Sequence, residues 1–481
     1  MKKNLFTLLL CLFTNFIFSQ VFTIYDHKND ELYGYIVFER IEQVSKKEIK
    51  YLSTLLDINL HKVAQTTFTD DSNNRIGNIR YNGKSIYFET LPAFTDRSSI
   101  ISTAYGYRIY NLQDNKVSER YELPVKNKHL YVRGGFPIEN MGYGMILRNF
   151  KSQVNEFYAI SDEGNAKLYS AYPYGNPKKK KPTEHIITGD IHNNLLITIN
   201  QKFKDKKAKD YRTTLMLTDI FTGKIIKEVV LDTDKFNIDL SDVQITDEKV
   251  HVFGDLFDKK KTLKSGKTAG LFKAILDFNG NVLDQKVAVW SDLKSKIDIQ
   301  EGGFVKKSGF IYTHNYVLDK KTNHTIVVGE YIKGGLTSVS VKDMVFLDFD
   351  ENFKIHQVFE VEKKQSTMDL GALKPGSSRE YGSLLKYYNY FDYRFYNELE
   401  NDNGLSFFYF NVEKWGFRSM DLSHGIVVYK DGEFIANKLK WELSRKNNEF
   451  LNLLPSKPGY ILLSKISKDK PIENRLEKLD Y

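Results

Sequence analysis

Cysteine is almost absent from this chain of 481 residues: the one copy, Cys11, lies in the apolar N-terminal segment. If that segment is removed on export, the remainder has neither disulfides nor thiolate metal sites, and its stability must come from a packed core. Proline is scarce, at 10 residues, which excludes polyproline and collagen-like architectures. No stretch reaches the ~18 consecutive apolar residues that a membrane-spanning helix needs. Catalytic signatures are missing too, for there is no HExxH and no GxSxG. Lys264-Ser265-Gly266-Lys267-Thr268 echoes the end of a phosphate-binding loop, but Lys261 stands where the first glycine is required.

What is present begins with MKKNLFTLLLCLFTNFIFSQ, in which two lysines, an apolar stretch and Ser19 ahead of Gln20 follow the layout of a cleavable secretion signal. Residues 1–19 are therefore expected to be a signal peptide and Gln20 the mature N-terminus. A lipid anchor at Cys11 would want a small residue before it, and Leu10 is not small. The product is expected to be exported, periplasmic or associated with the cell envelope, without a transmembrane segment.

Aromatic residues make up 14% of the chain, mostly Tyr and Phe, a bias that suits large sheets with packed faces. A hairpin signature also recurs, in which an apolar run leads into an Asp- or Asn-containing turn and an alternating strand. It reads LLDINLHKVAQ at 55–65, YNLQDNKVSERYEL at 110–123, AISDEGNAKLY at 159–169 and LTDIFTGKIIK at 217–227. It returns as LDFNGNVLD at 276–284, LDFDENFKIHQVF at 347–359 and VYKDGEFIANKL at 428–439. Tight turns need positive φ, which Gly, Asn and Asp tolerate at least cost. A second hairpin precedes most of these, at 75–91, 184–203, 242–257 and 310–332.

Two hairpins per unit make a four-stranded antiparallel blade. The fold class expected is thus all-β, a β-propeller of seven or eight four-stranded antiparallel blades. Six units lie between about 70 and 445, and residues 20–65 and 447–481 supply the rest, so that 20–481 forms a single domain closed by strands from both termini. β-Sandwich modules would show linkers, and a solenoid would repeat every ~20–30 residues. Helix is expected only at 377–388, where Ser377 can cap, and at 442–454.

In this scheme the first strand of each blade lines the central channel, which assigns 75–81, 129–136, 184–192, 242–246, 310–318 and 389–398 to it. On a regular strand, residues two apart share a face. Tyr312, His314 and Tyr316 then form one set, Asp392, Arg394 and Tyr396 a second, and Asp190 with His192 a third. Rings supply contact area and charges orient a ligand, so these eight are the candidate binding residues. The plainer account is that they satisfy one another in a wet channel. Asp348-Phe349-Asp350-Glu351-Asn352 spaces oxygens as a calcium loop does but lacks its glycine and distal glutamate. Neither a metal nor a cofactor is expected.

The formal charge is +9, of which Lys2 and Lys3 lie in the leader. The lysine runs at 178–181, 202–209 and 259–267 read as soluble loop tips that blunt strand edges, or as attraction to anionic envelope polymers. Nucleic acid is not an expected partner of an exported protein with few arginines.

The leader ending Phe18-Ser19-Gln20, the Lys/Asn/Ile/Tyr-rich composition and the segment GYIVFERIE…KKEIKYLSTLLDINLHKVA resemble uncharacterised secreted proteins of Bacteroidota of the flavobacterial type. The resemblance implies an envelope location and no activity. The terminus ENRLEKLDY departs from the basic sorting tails of that group. The functional expectation is a non-catalytic secreted or periplasmic propeller that binds a protein, peptide or glycan in the envelope. The alternative is a glycan-active hydrolase or lyase with channel-facing carboxylates such as Asp190 or Asp392, which would need a pair about 5–10 Å apart.

Overall fold

The computed structural model describes residues 19–26, 31–92, 106–122, 130–138, 142–149, 154–173, 184–203, 211–246, 249–259, 267–335, 337–370, 377–400, 404–415, 419–444, 449–466 and 472–479. The signal segment with Cys11, the lysines at 178–181 and the Lys264–Gly266 stretch lie outside them.

Among the described residues eight antiparallel sheets follow one another along the chain, and in each the main path of strands keeps sequence order. The first is Ser19–Tyr25, Leu32–Gln43, Glu48–Leu56 and Lys62–Asp71. The second is Asn74–Tyr81, Ser85–Pro92, Gly106–Asn111 and Lys116–Val117, with Tyr121–Glu122 as an addition. The third runs Leu130–Ile138, Gly142–Asn149, Val154–Ile160 and Ala166–Pro173. The fourth is Glu184–His192, Leu195–Phe203, Tyr211–Asp219 and Ile225–Val229. Phe236–Thr246, Lys249–Asp258, Gly270–Leu276 and Val282–Val289 make the fifth. The sixth is built on Gly309–Leu318, Thr325–Gly334, Ser338–Phe349 and Ile355–Val361, extended by three short strands. The seventh is Tyr393–Glu398, Leu405–Trp415, Ser419–Lys430 and Glu433–Ser444. Phe450–Pro455, Tyr460–Ile466 and Glu473–Lys478 form the eighth, which has three strands among the described residues where four were expected.

Seven four-stranded antiparallel blades in sequence order make this an all-β protein of β-propeller type, as the recurring hairpins require. The recurring Asp has a specific task. The Asp57 carboxylate accepts the N–H groups of Asn59 and His61, Asp277 those of Asn279 and Asn281, and Asp350 those of Asn352 and Lys354. Ser161 does the same with Glu163 and Asn165. A side-chain oxygen thus mimics a backbone carbonyl and closes the turn between third and fourth strands. In the seventh sheet the turn is Asp431-Gly432, with φ of 51° and 84°, the two positive values that a two-residue hairpin of matching twist demands.

The chain divides into two compact units. The first comprises residues up to Lys180, with Ile220–Gly223 and Lys446–Asp480, and so holds the first, second, third and eighth sheets. Its cores lie between sheets: Phe38, Phe68 and Phe88 join the first and second, and Tyr87, Tyr107 and Tyr143 the second and third. The eighth sheet packs on the first, with Leu462 against Val21, Tyr35 and Val37, and the Tyr35 hydroxyl 2.5 Å from that of Ser456. The second unit holds the fourth to seventh sheets, again with apolar seams between successive faces.

Of the two helix expectations, 377–388 is a helix, Ser378–Tyr387, and the Ser377 hydroxyl accepts the Glu380 N–H as a cap. At 442–454 the chain is instead strand up to Ser444 and again from Phe450 to Pro455, because the period-two pattern continues where a helix was expected. A short helix, Trp290–Leu293, was not foreseen.

Candidate functional site

All eight candidate residues fall in the second unit, but they do not share one surface. The cause is a β-bulge repeated in the first strand of its sheets. Pairing slips between Ile186 and Thr188, Leu240 and Asp242, Thr313 and Asn315, and Tyr393 and Phe395. A bulge inserts one residue and reverses the alternation beyond it. The inserted residues are Ile187, Ser241, His314 and Arg394.

Tyr316, past the bulge, therefore turns away from Tyr312. Its ring is 2% exposed and stacks on Phe253 at 4.5 Å in the seam between the fifth and sixth sheets. Tyr396 is exposed beside Phe407. His192 lies flat on Phe278, 4.1 Å away, so its ring serves a strand end; Asp190 is exposed and caps the Ile191 N–H. The expected two-apart sets thus break at Tyr316 and at Tyr396.

What the strands do bring together is two acidic clusters. The closed one centres on Glu330, wholly buried in the second strand of the sixth sheet. His314 Nε2 lies 2.8 Å from its carboxylate, and the N–H groups of Asp392 and Tyr393 both donate to it at 3.2 Å. Lys363 Nζ sits between two acids, 3.4 Å from Glu330 and 2.5 Å from Asp392, and the Ser366 hydroxyl donates to Asp392. Burial alone would push the Glu330 carboxyl up, but His314, Lys363 and the Tyr393 N–H together hold it below the ordinary range. Asp392 is pushed up by burial and by the Glu330 charge, against the pull of Lys363. Phe391, Tyr312 and Tyr393 wall the His314 ring. Arg394 donates to the Phe391 carbonyl and covers the Phe410 ring. Burial and the Arg394 charge push the neighbouring His424 down to about 3.

The open cluster centres on Asp255, in the second strand of the fifth sheet. Its carboxyl is enclosed by protein, and the residue as a whole is half-buried. Desolvation pushes it up to about 7, and it has no hydrogen-bond partner among the described residues. The Tyr312 and Tyr316 phenols both feel its charge. Asp242, on the first strand of the same sheet, is also pushed up by burial; the Gln244 amide and the Val243 N–H, which both donate to it, and Lys386 draw it down, while Asp190 adds repulsion. The capped helix closes one side: a Cβ on Gly382 would lie 2.3 Å from the Tyr312 ring, so glycine is required for that ring to reach the helix backbone. Asp255 and Asp242 both act on the Tyr316 phenol, and Lys386 and Asp190 act on Asp242, so three carboxyls and an ammonium group share one electrostatic neighbourhood, the Asp255 recess.

Asp242, Asp255, Glu330, Lys363 and Lys386 were missed from the sequence. Two of them had a visible signal, an acid after glycine inside an apolar run: VFGDLF at 252–257 and VVGEYI at 327–332. Also unforeseen is the use of Asp348, whose carboxylate meets His324 and His356 while Asp350 closes the turn.

No curated protein matches the sequence. Among solved structures, the WD40 domain of SCAP from fission yeast is similar at a TM-score of 0.43 and 7% identity, covering 96% of this chain and 98% of that one. A PL25 ulvan lyase, a polysaccharide lyase, gives 0.42 at 8% identity over 85% and 94%. The periplasmic gluconolactonase PpgL of Pseudomonas aeruginosa gives 0.32 at 7% identity over 72% and 91%. A family description covers nearly all of the chain in two overlapping matches, residues 20–334 and 321–480, and the protein belongs to that family, the family of unknown function DUF6770.

Proposed function

We propose that this protein is an exported, non-catalytic binding propeller whose second unit holds a positively charged group, an amine or guanidinium of a peptide or protein partner, in the recess of Asp190, Asp242 and Asp255. The observation that carries the reading is Asp255, a desolvated carboxyl on a half-buried residue, without a hydrogen-bond partner among the described residues and pushed up to about 7. A buried acid left unpaired costs stability, and a ligand that donates to it recovers that cost on binding. Two further carboxyls favour a cation and disfavour phosphates, which argues against nucleic acid. Export rests on the leader, Met1 to Ser19, and is tested by the intact mass of the secreted protein, which should begin at Gln20.

The binding test is calorimetric titration of lysine- or arginine-containing peptides, acidic peptides and neutral oligosaccharides into the full chain and Asp255→Asn. Basic peptides should bind, more weakly as salt rises, and lose at least about tenfold in the variant. Equal affinity for acidic or neutral ligands would remove the reading. One observation favours a second reading. An acid titrating near neutrality can also donate a proton in catalysis, so Asp255 rather than the fully paired Asp392 is the residue on which a glycan hydrolase or lyase would turn. Turnover of a glycan that vanishes in Asp255→Asn would select it.

A further inference from the structure

A separate cluster in the second unit joins His324, Asp348 and His356. Asp348 is fully buried on the third strand of the sixth sheet. His324 Nδ1 lies 2.7 Å from one of its carboxylate oxygens and His356 Nδ1 2.9 Å from the other. The ligand atoms of all three residues lie within 4.8 Å of one another. Their convergence has a backbone cause. In the ladder Asp348 faces Gln357 and Phe349 faces Ile355, which leaves His356 as the inserted residue of a bulge and re-aims its ring. His324 follows Asn323, whose φ of 58° turns the chain into the second strand.

We propose that His324, Asp348 and His356 form a binding site for a divalent transition metal of the zinc type. Two imidazoles and one carboxylate are the donor set such ions prefer, and one that calcium and magnesium do not. Around a tetrahedral ion with bonds of about 2.0–2.1 Å, neighbouring ligand atoms stand about 3.3 Å apart. The two short separations run to different oxygens of Asp348, so they open by about half an ångström while the carboxylate turns to offer one oxygen between the two rings. Each ring moves its proton to Nε2 and offers the Nδ1 lone pair. The Tyr429 hydroxyl lies 3.1 Å from an Asp348 oxygen and 3.0 Å from His324 Nδ1; when Nδ1 turns to the ion the hydroxyl keeps its bond to the carboxylate and orients it. His356 is half exposed, so an ion enters from solvent on its side and a fourth position stays open to water. None of these residues belongs to the recess around Asp255, and the site stands whether or not that recess binds a cation.

The test is titration of zinc into the untagged full chain in competition with a chromophoric chelator at neutral pH, with thermal unfolding followed in parallel. One equivalent should bind, and its binding should raise the melting temperature through mass action. His356→Ala, an exposed change that leaves the core intact, should weaken binding at least about tenfold and abolish the thermal shift. Asp348→Asn should abolish both, and Tyr429→Phe should retain most of the affinity. Absence of zinc binding in the parent chain, or equal binding and an equal thermal shift in His356→Ala, would overturn the proposal and leave the cluster as a hydrogen-bonded triad.

Discussion

Glu330 and Asp255 occupy the same place in neighbouring sheets and meet opposite fates. Each follows a glycine in the second strand, and each of those glycines ends a register slip in the first: Gly329 beside the slip at His314, Gly254 beside the slip at Ser241. In the sixth sheet the inserted residue is an imidazole that grips the acid, with Lys363 and two backbone N–H groups completing its shell. In the fifth the inserted residue is a serine, whose hydroxyl serves the Tyr316 phenol, and the acid is left open. One backbone device thus yields a structural charge cluster in one blade and an unsatisfied carboxyl in the next. The difference lies in a single side chain at the bulge and in the partners that the following blade can send.

The closed cluster should break hardest. Lys363→Met leaves Glu330 and Asp392 buried without their shared cation, a loss of about 3–5 kcal/mol, read as a fall in the unfolding midpoint of the full chain. A change within experimental error would mean that the acids are satisfied without Lys363. Asp255→Asn should act in the opposite sense. Because the Asp255 carboxyl is raised in the fold to about 7, the folded protein binds more protons than the unfolded chain between the ordinary aspartate range and that value. The contribution of this group to stability is therefore present in acid and is lost as pH rises through about 7. Asp255→Asn should stabilise the protein above that point by about 1–3 kcal/mol after allowance for solvent in a half-open site. Denaturation midpoints across the pH range check this, and the gain should shrink as the medium becomes acidic.

The fold was legible because its signals are local. A side-chain oxygen that caps the backbone two and four residues ahead, as Asp57, Ser161, Asp277 and Asp350 do, leaves its mark inside one turn, and the seven Asp- and Asn-containing turns, these among them, set the blade count. The eighth sheet, with fewer strands, has no copy of that turn and was read only as a remainder. The site was less legible because a bulge leaves no local mark: His314 looks like one more alternating residue, yet its insertion sends Tyr316 into the core while Tyr312 remains at the recess. The same holds at Arg394. Partners such as Lys363 and Lys386 come from a loop and a helix outside the repeated unit, where no repeat argument reaches. The acid after glycine inside an apolar run was readable, since such a run has no place for an unpaired charge.

The smallest expected effect tests the comparison itself. Ser241→His places in the fifth sheet the residue that the sixth carries at its bulge. If the inserted side chain decides the fate of the acid, the new imidazole should reach Asp255 as His314 reaches Glu330, and the Asp255 carboxyl should titrate well below its present value of about 7. Carboxyl carbon shifts followed against pH report that midpoint directly. The gain in stability should stay within about 1 kcal/mol, because a partly solvated pair is screened and Tyr316 loses the Ser241 hydroxyl. It should be present below the ordinary histidine range and fade as pH rises through the raised pKa of the new imidazole. Affinity for a basic peptide should fall at the same time, since the carboxyl that would receive it is already engaged. An unchanged Asp255 midpoint would show that the bulge residue does not decide the outcome, and that the shell sent from the next blade, Lys363 with the Asp392 and Tyr393 N–H groups, is what separates the closed acid from the open one.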